Sequence, residues 1–178
     1  MLTFNAHNIF RIVHKPSAFF PLNIEFKVKN QLIEDCFNNP GIYSILYKGE
    51  LIYIGFSANN DDIRSTRWVR QIATITLRGE KVLFSDDALD VLKNSQLWSY
   101  FAHLKPTASN KDFQTSKNRV SFASCHKNEF LILDETVLKN FVFTWYPLPG
   151  HSNIESKCEE LKKQYKPRCN DEYVPFNM

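Results

Sequence analysis

Two β-rich runs joined by a short turn are the strongest constraint on how this chain can fold. Residues 42–47 and 51–56 consist mainly of β-branched, aromatic and other apolar side chains, and Gly49 lies between the runs. An Asn-Asn-Pro-Gly sequence at residues 38–41 marks another turn just before the first run. The pattern predicts an antiparallel β-hairpin, and therefore a sheet that contains antiparallel strands.

The length of the hairpin turn decides which side chains share a face. A three-residue loop over residues 47–49 gives Gly49 the left-handed conformation that a common hairpin loop requires. This loop sets Tyr43 directly opposite Tyr53, whereas a two-residue loop sends the two tyrosines to opposite faces. We predict the three-residue loop, with both tyrosines on one face.

The rest of the chain alternates between helical and extended patterns. The pattern predicts a helix at 63–77 after an Asn/Asp cluster at 59–62, a second helix at 86–104, a loop or irregular hairpin over 105–128, a strand at 141–146 and a last helix at 152–166. This order predicts an α+β fold with a small antiparallel three-stranded sheet flanked by helices.

Composition excludes several classes of function. The five glycines form neither a dinucleotide fingerprint nor a phosphate-binding loop. The four cysteines show no C-x-x-C spacing, which argues against a zinc site or a small disulfide framework. There is no apolar run of membrane-spanning length and no signal-peptide pattern, so we expect no membrane partner and a cytoplasmic location. The net charge of +3 favours no partner class by itself.

Two tripeptides in the hairpin carry a resemblance to a known family. Gly41-Ile42-Tyr43 is followed, after nine residues, by Tyr53-Ile54-Gly55, and an arginine-bearing helix comes next. Two strand tyrosines alone indicate only cross-strand packing. Together with the glycines and the helix, however, they resemble the GIY-YIG nuclease superfamily, which implies a metal-dependent endonuclease.

The resemblance also implies roles for individual side chains. Tyr43 would orient or deprotonate the attacking water and Tyr53 would assist in positioning. The family has one essential arginine on the following helix; the Arg-Trp pair favours Arg67 over Arg64 as the group that binds the phosphate. Many members have His or Lys four residues later, where this chain has Gln71. His103 and His126 are candidate replacements for that residue, although a lone histidine is more commonly structural.

The C-terminal segment provides a third similarity. Residues 160–170 resemble the end of the N-terminal nuclease domain of the bacterial nucleotide-excision repair incision enzyme, where a metal-binding Glu precedes the final Asn by twelve residues. That position is Cys158 here, and Glu155 and Glu159 are the nearby carboxylates. We favour Glu155 as the ligand of Mg²⁺ or Mn²⁺, because it lies one helical turn before Cys158. Asn170 is assigned to buttressing the site.

The minimal family fold leaves parts of the chain unassigned. Within one domain of 178 residues, residues 1–40 form an N-terminal extension, and the nuclease-like core at 41–170 contains an insertion at about 78–139. The stretch 105–128 has a charge excess of +4, which fits a DNA-gripping loop and a solvated surface loop equally well. Its charged residues are Lys105, Lys111, Lys117, Arg119 and Lys127 against Asp112.

The leading hypothesis is a restriction-type endonuclease that cuts double-stranded DNA as a homodimer. A DNA methyltransferase gene next to this one would favour it. The alternatives are a repair or mobile-element nuclease of the same superfamily, and a nucleic-acid-binding module without catalysis. Two departures from the family pattern motivate the binding module: Cys158 stands at the position of the family's Glu, and Gln71 stands at the position of its His or Lys.

Overall fold

The structure is a computed structural model that describes residues 1–14, 22–27, 39–57, 63–78, 82–102, 105–108, 114–132, 134–150 and 153–170. Within these ranges, the side chains of residues 14, 22–26, 63–67 and 114 are not described. The elements are β1 Leu2–Asn5, α1 Ala6–Ile9, β2 Phe10–His14, β3 Leu22–Phe26, β4 Gly41–Tyr47, β5 Glu50–Ser57, α2 Ile63–Ile75, β6 Leu83–Phe84, α3 Asp86–Lys93, α4 Trp98–Phe101, β7 Gln114–Thr115, α5 Lys117–Cys125, α6 Lys127–Ile132, α7 Glu135–Leu138, β8 Phe141–Pro147 and α8 Ile154–Tyr165.

The predicted α+β class is confirmed, but the central sheet has four strands instead of three. The order is β1-β8-β4-β5, and all neighbouring strands are antiparallel. The additional strand is β1, which pairs with β8 from Leu2 opposite Trp145 to Asn5 opposite Val142. It belongs to the N-terminal extension, and its four residues alternate too briefly between apolar and polar side chains to indicate a strand from sequence.

The hairpin forms as predicted, but its turn has two residues and not three. Tyr47 pairs with Glu50, and both Lys48 and Gly49 have positive φ angles (51° and 83°). Two consecutive left-handed residues form the type I′ turn, whose twist matches that of the strands. The tyrosines nevertheless share a face, because the register shifts between Ile45 and Leu46.

That shift is a β-bulge at Ile52. Ile45 pairs with Tyr53 while Leu46 pairs with Leu51, so Ile52 is the extra residue of β5. The bulge reverses the alternation of the strand once, which returns Tyr53 to the face of Tyr43. The predicted face was therefore correct, but the predicted loop was wrong. The predicted direct pairing was also wrong, because Tyr43 lies opposite Gly55 and Tyr53 lies opposite Ile45.

The alternation along the strands divides the core between the two faces of the sheet. On one face, Trp68 of α2 is 1% exposed and stacks on Phe143, with ring centroids 4.6 Å apart. On the other face, Ile154 and Cys158 of α8 pack with Ile42 and Ile54 in a separate apolar cluster. This arrangement puts α2 on the tyrosine side and α8 on the opposite side.

The helix predicted at 86–104 is interrupted. Helix α3 ends at Lys93 and α4 begins at Trp98. Side chains between them bond to the backbone: Asn94 donates to Asp90 O, and Ser95 donates to Leu92 O and accepts from Leu97 N. Such local bonds compete with continued helix formation.

The loop predicted over 105–128 is wrong in its second half. Residues 117–125 form helix α5 and α6 begins at Lys127. Val120, Phe122 and Ala123 of α5 are buried, so packing stabilises a helix whose composition is otherwise polar. The Asn/Asp cluster at 59–62 and the charged residues at 111 and 112 lie outside the described residues.

A short C-terminal segment runs along the outer edge of β5. The backbone N–H of Cys169 donates to Ile52 O at 2.8 Å, and the Asn170 side chain bonds to both the N–H and the C=O of Ile54 at 2.8 Å. These bonds satisfy backbone groups that an edge strand otherwise exposes. Among the described helices, none is both long and apolar enough to cross a bilayer.

Candidate active site

The two motif tyrosines meet on the face of the sheet that α2 covers. Their rings are 6.0 Å apart, and Gln71 of α2 donates from Nε2 to both hydroxyl oxygens at 3.3 Å. Tyr43 is 3% exposed, whereas Tyr53 is half-buried. Gln71 therefore links the pair, at the position where many nucleases of the superfamily that the tripeptides resemble have His or Lys. An amide can orient hydroxyl groups, but it does not exchange a proton near neutral pH.

Gly55 provides the space in which Tyr43 lies. A Cβ atom at this position would be 2.6 Å from Cζ of Tyr43 and 2.7 Å from its hydroxyl oxygen. The same atom would be 2.9 Å from the ring of Tyr53. The last residue of the second tripeptide is thus glycine because both tyrosine rings pack against its backbone.

A large open groove borders Tyr53. It has a volume of about 1380 Å³ and lies between α5 on one side and α8 with the segment after it on the other. Its charged lining residues are Arg119, Lys162, Lys163, Lys166 and Arg168 on the basic side, and Glu155, Glu159 and Glu160 on the acidic side. The described lining therefore has a basic excess, which suits a polyanionic ligand.

The two candidate carboxylates of α8 differ in their surroundings. Glu159 forms an ion pair with Lys162 at 2.6 Å. Glu155 is exposed, lines the groove, and forms no ion pair with any residue that the structure describes. Cys158 is fully buried in the apolar cluster beneath α8, and burial raises the pKa of its thiol to about 11. Of the three positions, Glu155 is thus the one with a carboxylate open to the groove.

Lys162 places a positive charge near Tyr53. Burial lowers the pKa of this lysine, but the bond to Glu159 and the proximity of Cys158 and Tyr53 raise it more, so its pKa lies above the ordinary value. The ammonium group stays charged at neutral pH as a result. Ile154, Cys158 and Leu161 form an apolar stripe along α8, while Tyr165 at the end of the helix is 57% exposed.

Asn170 is bound to the strand that carries Tyr53. It is 8% exposed, its amide bonds twice to the backbone of Ile54, and its own carbonyl accepts from Asn118 Nδ2 at 2.6 Å. These contacts hold the edge of β5 between Tyr53 and Gly55. The side chain thus supports the geometry of the second tripeptide.

Arg67 lies on α2 four residues before Gln71, so the backbone places the two positions on one helix face. The side chain at position 67 lies outside the described part of the chain.

Another arginine, Arg119 of α5, is brought to the site by the fold. Its guanidinium carbon is 4.9 Å from the centroid of the Tyr53 ring. Sequence reasoning identified Arg119 only as one of several charges in an expected loop. Ser116 before α5 and the buried positions at Val120 and Ala123 are the signals that could have identified the helix.

His126 belongs to a different cluster. Its ring is 5.0 Å from that of Tyr47, and Nδ1 is 3.4 Å from Glu129 Oε1. Glu129 also accepts from the Tyr47 hydroxyl and pairs with Lys48 at 2.8 Å. This cluster ties the hairpin turn to α6, at the other end of β4 from Gly41. His103 lies outside the described residues.

Comparison with protein-family models, with curated protein sequences and with solved structures found no match to this chain. The paired tripeptides and the geometry around them are therefore the basis for any functional inference.

Proposed function

We propose that the chain is a metal-dependent endonuclease that hydrolyses phosphodiester bonds in double-stranded DNA, as a restriction-type enzyme. One observation supports this most directly: the hydroxyls of Tyr43 and Tyr53 share one donor, Gln71, beside a groove with a basic excess. Phosphodiester hydrolysis needs an oriented water and positive charge around the phosphate. Tyr53 lines this groove, so its hydroxyl and the basic side chains of the groove would meet these two requirements.

The burial of the tyrosines favours a division of roles between them. Tyr53 faces the groove, so its hydroxyl is the one that would contact the attacking water or a phosphate oxygen. Tyr43 lies behind it and fixes Gln71, which in turn orients the Tyr53 hydroxyl. This proposal exchanges the roles that the resemblance implies: Tyr43 is a positioning residue, and Tyr53 takes the role at the water.

Positive charge at the phosphate would come from three side chains. Lys162 and Arg119 border Tyr53 in the groove, and Arg67 is the candidate from α2. An arginine fork matches two phosphate oxygens, whereas a lysine acts as a point charge. Together these groups would stabilise the charge that develops at phosphorus.

A single carboxylate exposed at the groove would suit a divalent ion that is held jointly with the substrate. No three His, Cys, Asp or Glu side chains among the described residues form a metal-binding group. Mg²⁺ commonly takes only one or two carboxylates and completes its shell with water and phosphate oxygens. Glu155, exposed at the groove, would be its protein ligand. When bound, the ion would neutralise charge on the scissile phosphate and assist the leaving oxygen.

Plasmid cleavage tests the proposal. We expect the wild-type chain to nick or linearise supercoiled DNA with Mg²⁺ or Mn²⁺ and to be inactive with EDTA. Tyr53→Phe, Arg67→Ala and Glu155→Ala should abolish cleavage, while Glu160→Ala, a matched carboxylate on the same helix, should retain it. A restriction-type enzyme would give discrete fragments from linear DNA, whereas a repair or mobile-element enzyme would need a particular structure or site.

The oligomeric state can be examined with the same preparation. A homodimer would cut both strands in one encounter, giving linear plasmid without accumulation of the nicked form. DNA binding without metal-dependent cleavage of any substrate would refute the nuclease and favour the binding module, which Gln71 at the His or Lys position also motivates.

A further inference from the structure

Helix α5 brings a positive charge to the second motif tyrosine from outside the paired tripeptides. Arg119 lies in the first turn of this helix, and its guanidinium lies over the Tyr53 ring at 4.9 Å. A cation over an aromatic face is attracted by the ring electrons. The contact therefore places Arg119 at the junction of the groove and the tyrosine pair.

Two further contacts fix the orientation of this guanidinium. Nε donates to Cys169 O at 3.3 Å, and Nη1 donates to Thr74 Oγ1 on α2. The side chain thus bridges α5, α2 and the C-terminal segment along β5. A planar group that is held at two points and by a ring has little freedom left to lose when it binds a ligand.

The guanidinium retains donors for a ligand. It has five N–H groups, of which two are used in these bonds. The described residues provide no carboxylate partner for it, and it lines the groove together with Lys162 and Lys163. Ionised oxygens, such as those of a phosphate, make shorter and stronger hydrogen bonds with such a donor than neutral oxygens do.

We infer that Arg119 binds a backbone phosphate of the nucleic acid in the groove and holds Tyr53 against it. The inference rests on the proposed function and adds to it a phosphate contact that comes from α5. The contacted phosphate is the scissile one or its neighbour, because the guanidinium and Tyr53 are in direct contact. Arg119 therefore contributes to both binding and turnover.

Salt-dependent binding separates this role from a purely structural one. The probe is a short fluorescein-labelled DNA duplex in EDTA, and the dissociation constant is measured from about 50 to about 200 mM KCl. Each lost phosphate contact lowers the slope of log Kd against log salt by about 0.9. We expect Arg119→Met to lower the slope by about 1 and to weaken binding about tenfold or more at the lowest salt.

Two variants serve as controls. Arg119→Lys keeps the charge, so it should retain the wild-type slope while kcat for plasmid cleavage falls, because the fork and its contact with Tyr53 are lost. Thr74→Val removes the bond between α2 and Arg119 but leaves the charge, and it should also retain the slope. If Arg119 had only a structural role, the result would differ. Thr74→Val and Arg119→Met would then weaken DNA binding to the same extent, and neither would change the slope.

The result that overturns the inference is a wild-type slope for Arg119→Met. Failure of the proposed function is visible separately, as wild-type protein that binds the duplex but does not cleave plasmid with Mg²⁺ or Mn²⁺. The slope still tests Arg119 in that case. A wild-type chain that shows no binding to the duplex even at the lowest salt overturns both.

Discussion

Replacing Gly55 with alanine is the sharpest test of how the tyrosine pair is built. The new Cβ would lie 2.6 Å from Cζ of Tyr43 and 2.7 Å from its hydroxyl oxygen. Carbon atoms at rest are about 3.5–4.0 Å apart, so the ring must move by roughly 1 Å. Tyr43 is 3% exposed, and its ring packs against that of Trp68 with the ring centroids 6.2 Å apart. The ring therefore has little room to move.

The size of the effect follows from this overpacking. Forcing an extra methyl group into a filled core costs about 1–3 kcal/mol. In a domain of this length each kcal/mol lowers Tm by about 2–4 °C, so Tm should fall by roughly 2–12 °C. A displacement of roughly 1 Å also breaks the 3.3 Å bond from Gln71, and misplacement on this scale is associated with losses of about 10²-fold in rate.

The assay combines thermal unfolding with plasmid cleavage, and Gly49→Ala is the matched control. Gly49 has a φ of +83°, and a Cβ atom there would meet nothing beyond its chain neighbours within 4 Å, so alanine is strained but does not clash. The strain costs about 1–2 kcal/mol, similar to the expected cost at Gly55. Both variants should therefore unfold earlier, while only Gly55→Ala loses activity. A Gly55→Ala protein with wild-type Tm and rate would refute the packing described for this glycine.

Three further outcomes are expected. Burial raises the pKa of Glu129, but bonds from Lys48, Tyr47 and His126 lower it to about 2, below the ordinary 4.5. The stabilisation from this carboxylate is therefore full above pH 4.5 and is lost as the pH falls toward 2. Glu129→Gln should lower the free energy of unfolding in urea at neutral pH, and the variant and wild type should be equally stable near pH 2. Asn170→Ala should lower the free energy of unfolding by about 2–4 kcal/mol in the same assay, because two buried backbone groups of Ile54 lose their hydrogen-bond partners. A variant as stable as wild type would contradict this role of Asn170. Glu159→Ala should retain metal-dependent cleavage in the plasmid assay, because that carboxylate is paired with Lys162; its loss would indicate that Glu159 is the metal ligand instead.

The hairpin could be predicted because its signals are local. Alternating apolar residues and a turn glycine specify two paired strands whatever surrounds them. The turn type could not be predicted, because Lys48 adopts a φ of 51° that a lysine rarely adopts. The bulge was equally hidden, since Ile52 is an apolar residue that suits either face.

The candidate site could be predicted only in part, for a related reason. Tyr43, Tyr53 and Gln71 come together because a hairpin and the next helix are close in sequence and in space. The preference for Glu155 over Glu159 came from helical spacing alone, and the ion pair of Glu159 with Lys162 now adds to it. Arg119 reaches Tyr53 through the packing of α5, a tertiary contact that the sequence signals for the helix itself do not specify.

The bulge at Ile52 also limits how the hairpin can change in length. With a two-residue turn, the nine residues between the two tyrosines keep them on one face only because one residue is left out of the ladder. Deleting one residue is therefore tolerated only if the bulge disappears with it, which leaves a regular hairpin with the pair intact. A deletion that keeps the bulge turns the second tyrosine away from the first. Variation that preserves both the pair and the bulge must occur in steps of two residues.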